Sequence, residues 1–256
     1  MATTSASALP APPPLTDGCA LFLDVDGSLL EFAPTPDRVQ VPTALLGVLE
    51  RVHRRLGGAL ALVSGRSLAQ LDRLFAPLRL PAAGLHGLEL RDAPAPPRPP
   101  QLGTVRERLE AVARRFPGAL VEDKRVALAL HWRAAPQAAE ALRAAADEAV
   151  GALPGYRLQH GDHVVELRPH GADKGSAVQQ LLAQPPFRGR HPVFVGDDIT
   201  DEDGFRVMRE RDGVAVLVGE RRPTAATHAL THPAAVRAWL CEAAGEDAPV
   251  PEEAAG

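Results

Sequence analysis

Short apolar runs and helical stripes alternate along the first third of the chain. Ala20–Val25 and Leu60–Val63 have the length and aliphatic content of strands buried on both faces. Between them Val41, Leu45, Val48, Leu49, Val52 and Leu56 recur at helical spacing, and Leu68, Leu71 and Phe75 repeat the pattern after the second run. Strand and helix in alternation predict a parallel sheet with crossover helices from residue 20 to about 91. Ala93–Pro100 then places five prolines in eight residues, which suits neither element and predicts a stiff linker. Beyond it, Thr104 and Glu107 have the form of a capping box ahead of a helical face of Val105, Leu109, Val112 and Phe116. Val126, Leu128, Leu130 and Trp132 alternate as a strand, a second helix runs from Leu142 to Val150, and His163–Arg168 alternates again, together a small α/β insertion. The core pattern returns with a helix opened by Lys174 and faced by Val178, Leu181 and Leu182, followed by strands at Pro192–Val195 and Val214–Val218. No repeat of solenoid period occurs.

Composition narrows this picture. Of 256 residues, 45% are hydrophobic and 23% charged, a globular balance that allows one large domain or a core with an insertion. The net charge of −4 argues against nucleic acid as a partner. Cys19 and Cys241 are the two cysteines and have no zinc spacing, so a reducing, cytoplasmic setting is expected. No stretch approaches a membrane span, and no feature points to an obligate protein partner. Met1–Asp17 lacks the basic segment of a signal peptide and is rich in Ala, Ser, Thr and Pro, so it is expected to be a disordered tail, as is the end of the chain from Asp247.

Four elements carry candidate chemistry. The first apolar run ends in Asp24 and Asp26, followed by Gly27 and Ser28. Ending a buried strand in two charges is costly unless something binds them, and a divalent cation is the simplest such group. Strand alternation puts residues two apart on one face, so both carboxylates can act on one small volume while Gly27 turns the chain; an ordinary Asp-Gly turn is the plain alternative. The second run leads into Ser64, Gly65 and Arg66 at a helix start, where Ser64 can either cradle a phosphate or cap the helix. Lys174 opens its helix at the end where the macrodipole favours anions; a local task such as neutralising phosphate would explain it, although most lysines are simply solvated surface. Val193–Gly196 runs into Asp197, Asp198, Asp201, Glu202 and Asp203, five acids in seven residues. Glu202 and Asp203 fit a charged first helical turn, whereas Asp197, directly after the strand's glycine, is placed to offer oxygen to a hard cation.

Strand-end Asp pair, strand-end Ser, helix-start Lys and strand-end acid cluster, in that order, resemble the haloacid dehalogenase superfamily of phosphohydrolases. Finer motifs are similar to the trehalose-6-phosphate phosphatase family over about residues 20–240: Asp24-Val25-Asp26-Gly27-Ser28-Leu29, Ser64-Gly65-Arg66, Gly84-Leu85-His86-Gly87, Val121-Glu122-Asp123-Lys124, His131-Trp132-Arg133, Val165-Glu166-Leu167, Lys174-Gly175 and Gly196-Asp197-Asp198-Ile199-Thr200-Asp201-Glu202. Ser28 stands where that family usually has Thr, and Trp132 where a Tyr is usual. The resemblance implies an α/β fold: a Rossmann-like parallel-sheet core at residues 18–96 and 171–243, a small α/β cap at 97–170, and disordered tails at 1–17 and 244–256.

It also implies a Mg²⁺-dependent phosphatase that converts trehalose 6-phosphate to trehalose and phosphate through an aspartyl phosphate. Asp24 would be the nucleophile and Asp26 the general acid and base. Mg²⁺ would be held by the Asp24 carboxylate, the Asp26 carbonyl and Asp197, with Ser64 and Lys174 on phosphoryl oxygens and Asp198 and Asp201 in support. Substrate contacts would come from Ser28, Gly65, Arg66, His86, Glu122, Lys124, His131, Arg133 and Glu166; from periodicity alone, Glu122, Lys124 and Glu166 read in the first place as surface ion pairs. A phosphatase of another sugar phosphate, such as sucrose phosphate or a mannosyl phosphoglycerate, or a phosphomutase would share this core. A phospho-accepting receiver module also uses a strand-end Asp and a Lys, but it has no cap and no use for a general acid two residues after its acceptor.

Overall fold

The buried apolar runs do become parallel strands. The computed structural model describes residues 9–33, 38–94 and 97–245, and the chain divides into two compact units, one of residues up to Ala93 together with those from Asp173 onward, the other Pro94–Ala172. In chain order the first unit opens with β1 (Cys19–Leu23), α1 (Thr43–Arg55), β2 (Leu60–Val63), α2 (Leu68–Leu74), β3 (Ala82–Gly84) and β4 (Glu89–Leu90). The second unit holds α3 (Leu102–Ala113), β5 (Leu120–Asp123), β6 (Leu128–His131), α4 (Ala139–Val150), β7 (Tyr156–Gly161) and β8 (Val164–Pro169). The first unit resumes with α5 (Lys174–Leu182), β9 (His191–Gly196), α6 (Glu202–Glu210), β10 (Val214–Val218), β11 (His228–Leu230) and α7 (Pro233–Ala244).

The large sheet has the order β11-β10-β9-β1-β2-β3-β4 and is parallel except for the last pair. β1 lies at its centre, with Leu21 opposite Leu60 of β2 on one side and Val193 of β9 on the other. Every residue of β1, β2 and β10 is buried, as expected of parallel strands covered on both faces. Leu45, Val48, Leu49 and Val52 form the buried stripe of α1, which packs beside α7, while α5 packs beside α6. Because the chain runs from β1 outward through β2 and β3 and later returns to add β9 on the other side of β1, the carboxyl end of β1 lies where strand order reverses, the position at which open α/β sheets bind ligands.

In the second unit an antiparallel sheet of order β5-β6-β8-β7 has one face against a cluster that includes Leu102, Val105 and Leu109 of α3 and Leu142 and Ala146 of α4. Glu122, Ala129, Glu166 and Gln159 are opposite one another across the four strands and so share the other face. β5 and β7 carry polar and exposed residues and give no apolar run, and β3, β4 and β11 are two or three residues long; none of the five announces itself in the sequence.

Three expectations need correction. The tail expected through Asp17 is ordered from residue 9 at least: Leu15 is buried, the Pro10 carbonyl accepts from Ala229 N at 2.9 Å, and Pro13 accepts from the Trp239 indole at 3.1 Å. Proline has little backbone freedom to lose, so a proline-rich segment can be laid down as a strap at low entropic cost. Residues 1–8 and those after Gly245 lie outside the described residues, as do Ala95 and Pro96 within the expected linker; at the other end of the chain, α7 continues to Ala244. Second, of the two roles left open for Ser64, the cap of α2 falls to Ser67 instead, in a reciprocal box with Gln70. Third, α3 begins at Leu102, so Thr104 lies inside its first turn and caps nothing; the buried Leu102 fixes the start instead. Among the described residues, no helix is long and apolar enough to cross a membrane.

The start of α3 is testable. Thr104→Ala should change stability by less than about 0.5 kcal/mol, since no cap is lost, whereas Leu102→Ala should cost about 2–5 kcal/mol. Denaturant unfolding followed by near-ultraviolet circular dichroism measures both, and a larger loss for Thr104→Ala would restore the capping box.

Candidate active site at the strand ends

Asp24 is the residue after β1, and its amide still pairs with the Val195 carbonyl of β9 at 2.9 Å, so the sheet itself positions it. Its carboxylate is buried and meets the Lys174 ammonium at 2.7 Å; Lys174 reaches Asp201 on its other side at 2.6 Å. Asp201 also accepts from the amides of Asp197 and Asp198, each at 3.0 Å, so it ties the loop after β9 to the lysine. Ser28 Oγ donates to Asp197 Oδ1 at 2.9 Å. Two glycines make room for this packing: a Cβ on Gly196 would overlap the Asp201 carboxylate, and one on Gly27, whose φ is +85°, would overlap that of Asp197.

Carboxylate oxygens of Asp24, Asp197 and Asp201 lie within 4.8 Å of one another. Burial raises the Asp24 and Asp201 carboxyls above the usual carboxylate range despite Lys174. Burial, together with the charges of Asp24 and Asp198, pushes Asp197 up to about 8. For Lys174, burial favours the neutral amine, but Asp201 and Asp24 outweigh it and hold the ammonium charged. Three crowded carboxylates against one ammonium are an oxygen-rich, under-neutralised set, which fits a hard divalent cation.

The other candidates of this unit fall into two groups. Ser64 is buried at the end of β2, where its Oγ accepts from the Arg66 amide at 3.1 Å. Leu85 and His86, with φ of 50° and 52°, are consecutive non-glycine residues in the left-handed region, and their turn wraps the 64–66 segment: Leu85 N donates to the Arg66 carbonyl and His86 N to that of Ser64, both at 2.9 Å. The His86 ring lies against Gly65, where a Cβ would come within 2.6 Å of Nε2. Asp26 is different. Past the sheet, the chain turns back through a Gly27 to Leu30 hydrogen bond of 2.8 Å, and the Asp26 carboxylate is gripped by Arg66 at 2.6 and 2.7 Å instead of joining the triad. Two-residue alternation does not carry beyond the last strand pair, which is why the triad contains Asp201 rather than Asp26.

In the second unit Lys124 pairs with Glu166 at 3.1 Å, both nearly buried, and His131 Nε2 lies 2.9 Å from Glu122. These four share the polar sheet face, so they are brought together. Arg133 is not: it pairs with Asp162 at 2.7 Å and both side chains are more than half exposed. Two contacts of the first unit have no counterpart in the sequence patterns. Glu202 accepts from the Ala225 amide at 2.8 Å and pairs with Arg221, and Arg221 also reaches the main chain of Asp197 and Asp198. Glu202 therefore does more than start a helix, while Arg221 sits in no motif and carries no signal in the sequence.

A family model described as trehalose-phosphatase matches residues 22–234. The probable trehalose-phosphate phosphatase of Sinorhizobium fredii is 44% identical over 219 residues, 84% of this chain and 82% of that protein. The trehalose-6-phosphate phosphatase of Escherichia coli is 42% identical over 212 residues, 81% of this chain and 80% of that protein. Among solved structures, the C-terminal domain of the C. albicans trehalose-6-phosphate phosphatase is similar in fold, with a TM-score of 0.74 and 21% identity over 93% of this chain and 99% of that one.

Gly196→Ala tests the packing of the triad. The added methyl must displace Asp201, and overpacking of this kind costs about 1–3 kcal/mol. The variant should melt below the wild type and lose most phosphatase activity as Lys174 is unseated; full activity would show that Asp201 is dispensable.

Proposed function

The chain belongs to the trehalose-phosphatase family and is a phosphoric monoester hydrolase, and from that premise we propose that it hydrolyses trehalose 6-phosphate to trehalose and phosphate with Asp24 as nucleophile. The observation that carries this reading is the buried bridge Asp24–Lys174–Asp201 beside Asp197 at the ends of β1 and β9. A carboxylate attacking a phosphate dianion needs positive charge around it, and this arrangement supplies one ammonium and a seat for a divalent cation.

Asp24 attacks phosphorus in line as the bond to the sugar oxygen breaks, which leaves an aspartyl phosphate that water then cleaves. Asp26 gives a proton to the departing oxygen and later takes one from water. Both Asp26 carboxylate oxygens accept from Arg66, so this pair has to open for Asp26 to carry the proton. Ser64 Oγ and Lys174 Nζ donate to the phosphoryl oxygens, and Gly65 and His86 shape the turn around them. The Asp24 and Asp197 carboxylates and the Asp26 carbonyl would hold Mg²⁺, which would supply charge neutralisation at the phosphoryl group. Asp201 already accepts three hydrogen bonds, so it positions Lys174 and the loop in place of binding the cation. Ser28 orients Asp197. Glu122, Lys124, His131 and Glu166 take the sugar hydroxyls, and Arg133, an exposed ion pair, drops out of this role. Two free cysteines suit a cytoplasmic setting.

Phosphate release from trehalose 6-phosphate, sucrose 6-phosphate and glucose 6-phosphate, with and without Mg²⁺, tests the reading; a clear preference for trehalose 6-phosphate is expected, and equal rates would reduce it to a generic sugar phosphatase. Asp24→Asn should retain the fold by circular dichroism and lose activity to a few percent or less, because an amide neither attacks nor ligates a hard cation well.

Lys124→Ala and Glu166→Ala should each lower kcat/KM for trehalose 6-phosphate by about 1.5–3 kcal/mol of transition-state binding. Hydrolysis of p-nitrophenyl phosphate, which has no sugar, should be nearly unchanged. Equal losses on both substrates would remove these residues from sugar recognition.

A further inference from the structure

Arg221 lies in the loop after β10, and its guanidinium faces the acid loop after β9. Nε donates to the Asp197 carbonyl at 3.3 Å and Nη2 to the Asp198 carbonyl at 3.2 Å, while Nη2 also pairs with Glu202 Oε1. Nη1 donates to the Pro223 carbonyl at 3.1 Å, and the Ala225 amide donates to Glu202 Oε2 at 2.8 Å, so the side chain is fixed by its own loop and by α6 together.

The chain at Asp197 is thereby held from both sides. Asp201 accepts from its amide, Ser28 holds its carboxylate, and Arg221 holds its carbonyl. We propose that Arg221 is a positioning residue for the cation-binding loop, fixing the Asp197–Asp198 backbone so that the Asp197 carboxylate meets a divalent cation without rearrangement. The inference rests on the assignment of Asp197 to the cation made above. Its direction is diagnostic, because a guanidinium beside a cation site repels the cation by simple Coulomb interaction. If charge were all that mattered, removing Arg221 would tighten cation binding; if positioning dominates, removing it loosens binding.

The experiment is isothermal titration of substrate-free protein with Mg²⁺. Arg221→Ala should bind Mg²⁺ about 10- to 100-fold more weakly, the usual consequence of losing a group that orients a ligand. Arg221→Lys, which keeps the charge and part of the donor set, should fall between. The kcat of Arg221→Ala at limiting Mg²⁺ should recover as Mg²⁺ is raised. Unchanged or tighter Mg²⁺ binding by folded Arg221→Ala would overturn the proposal, as would a wild type that binds no Mg²⁺. Should Arg221→Ala fail to fold, Glu202→Gln loosens the same guanidinium from the far side: weaker Mg²⁺ binding supports the proposal and unchanged binding refutes it. A wild type inactive on trehalose 6-phosphate but with the expected order of Mg²⁺ affinities would discard the substrate and leave this role of Arg221 standing.

Discussion

One buried ammonium organises the first unit's chemistry. Lys174 is nearly inaccessible and has a carboxylate on either side, Asp24 from β1 and Asp201 from the turn after β9. Desolvating three charges is costly, and removing one partner of such an arrangement typically costs about 3–5 kcal/mol because the others remain buried and uncompensated. The fold therefore has to deliver the lysine accurately, and it does so through close backbone approaches. The start of α5 is capped reciprocally by Asp173 and Ser176. Gly87 lets the Asp173 carbonyl come to 2.5 Å from where a Cβ would stand, and Gly175 does the same for the carbonyl of Asp203. Any side chain at either glycine would push α5 away from its neighbours and carry the ammonium off the two carboxylates.

The same bridge resolves why a cation should open a helix at its electropositive end. The macrodipole term there is unfavourable by a fraction of a kcal/mol, roughly 0.3–1 at an exposed site. Two charge-assisted hydrogen bonds at 2.6 and 2.7 Å in a water-poor setting outweigh it. Local electrostatics is overruled by tertiary contacts, and that conflict is what made Lys174 conspicuous in the first place.

Strand ends were legible in the sequence for a physical reason: an apolar run fully buried on both faces should not terminate in charge, so Asp24 and Asp197 stood out against their own neighbours, and Ser64 stood out as a hydroxyl between such a run and a helix. The parallel core and the α/β insertion followed from periodicity. What stayed hidden depends on pairings between distant positions. Short strands such as β3 and β11 exist because neighbouring strands accept them, polar β5 and β7 because one face of their sheet is given to polar groups, and the 9–17 strap because Trp239 and Ala229 offer it donors. Arg221 is 24 residues from the carbonyl it holds, in a loop without periodicity or motif. Helix starts are harder to read for a subtler reason: Ser64 and Thr104 are of capping type, but Ser64 and Leu102 are buried and the actual starts lie three residues away.

On the proposed reading, the polar sheet face of the second unit is prepared in advance for a sugar. Its sheet is packed on one side, which leaves the other for polar groups, and there Lys124 and Glu166 are already paired while Glu122 and His131 are already in contact. A ligand that hydrogen-bonds to such pairs finds each side chain held in place by its partner, so little rotamer freedom is lost on binding. Charged groups that face one another also cannot relax onto an apolar competitor, so a substrate without suitably placed hydroxyls gains contact area but leaves them less well satisfied. Selectivity at this face would then reside in the mutual spacing of the pairs, which the register of β5, β6 and β8 sets, more than in the strength of any single contact.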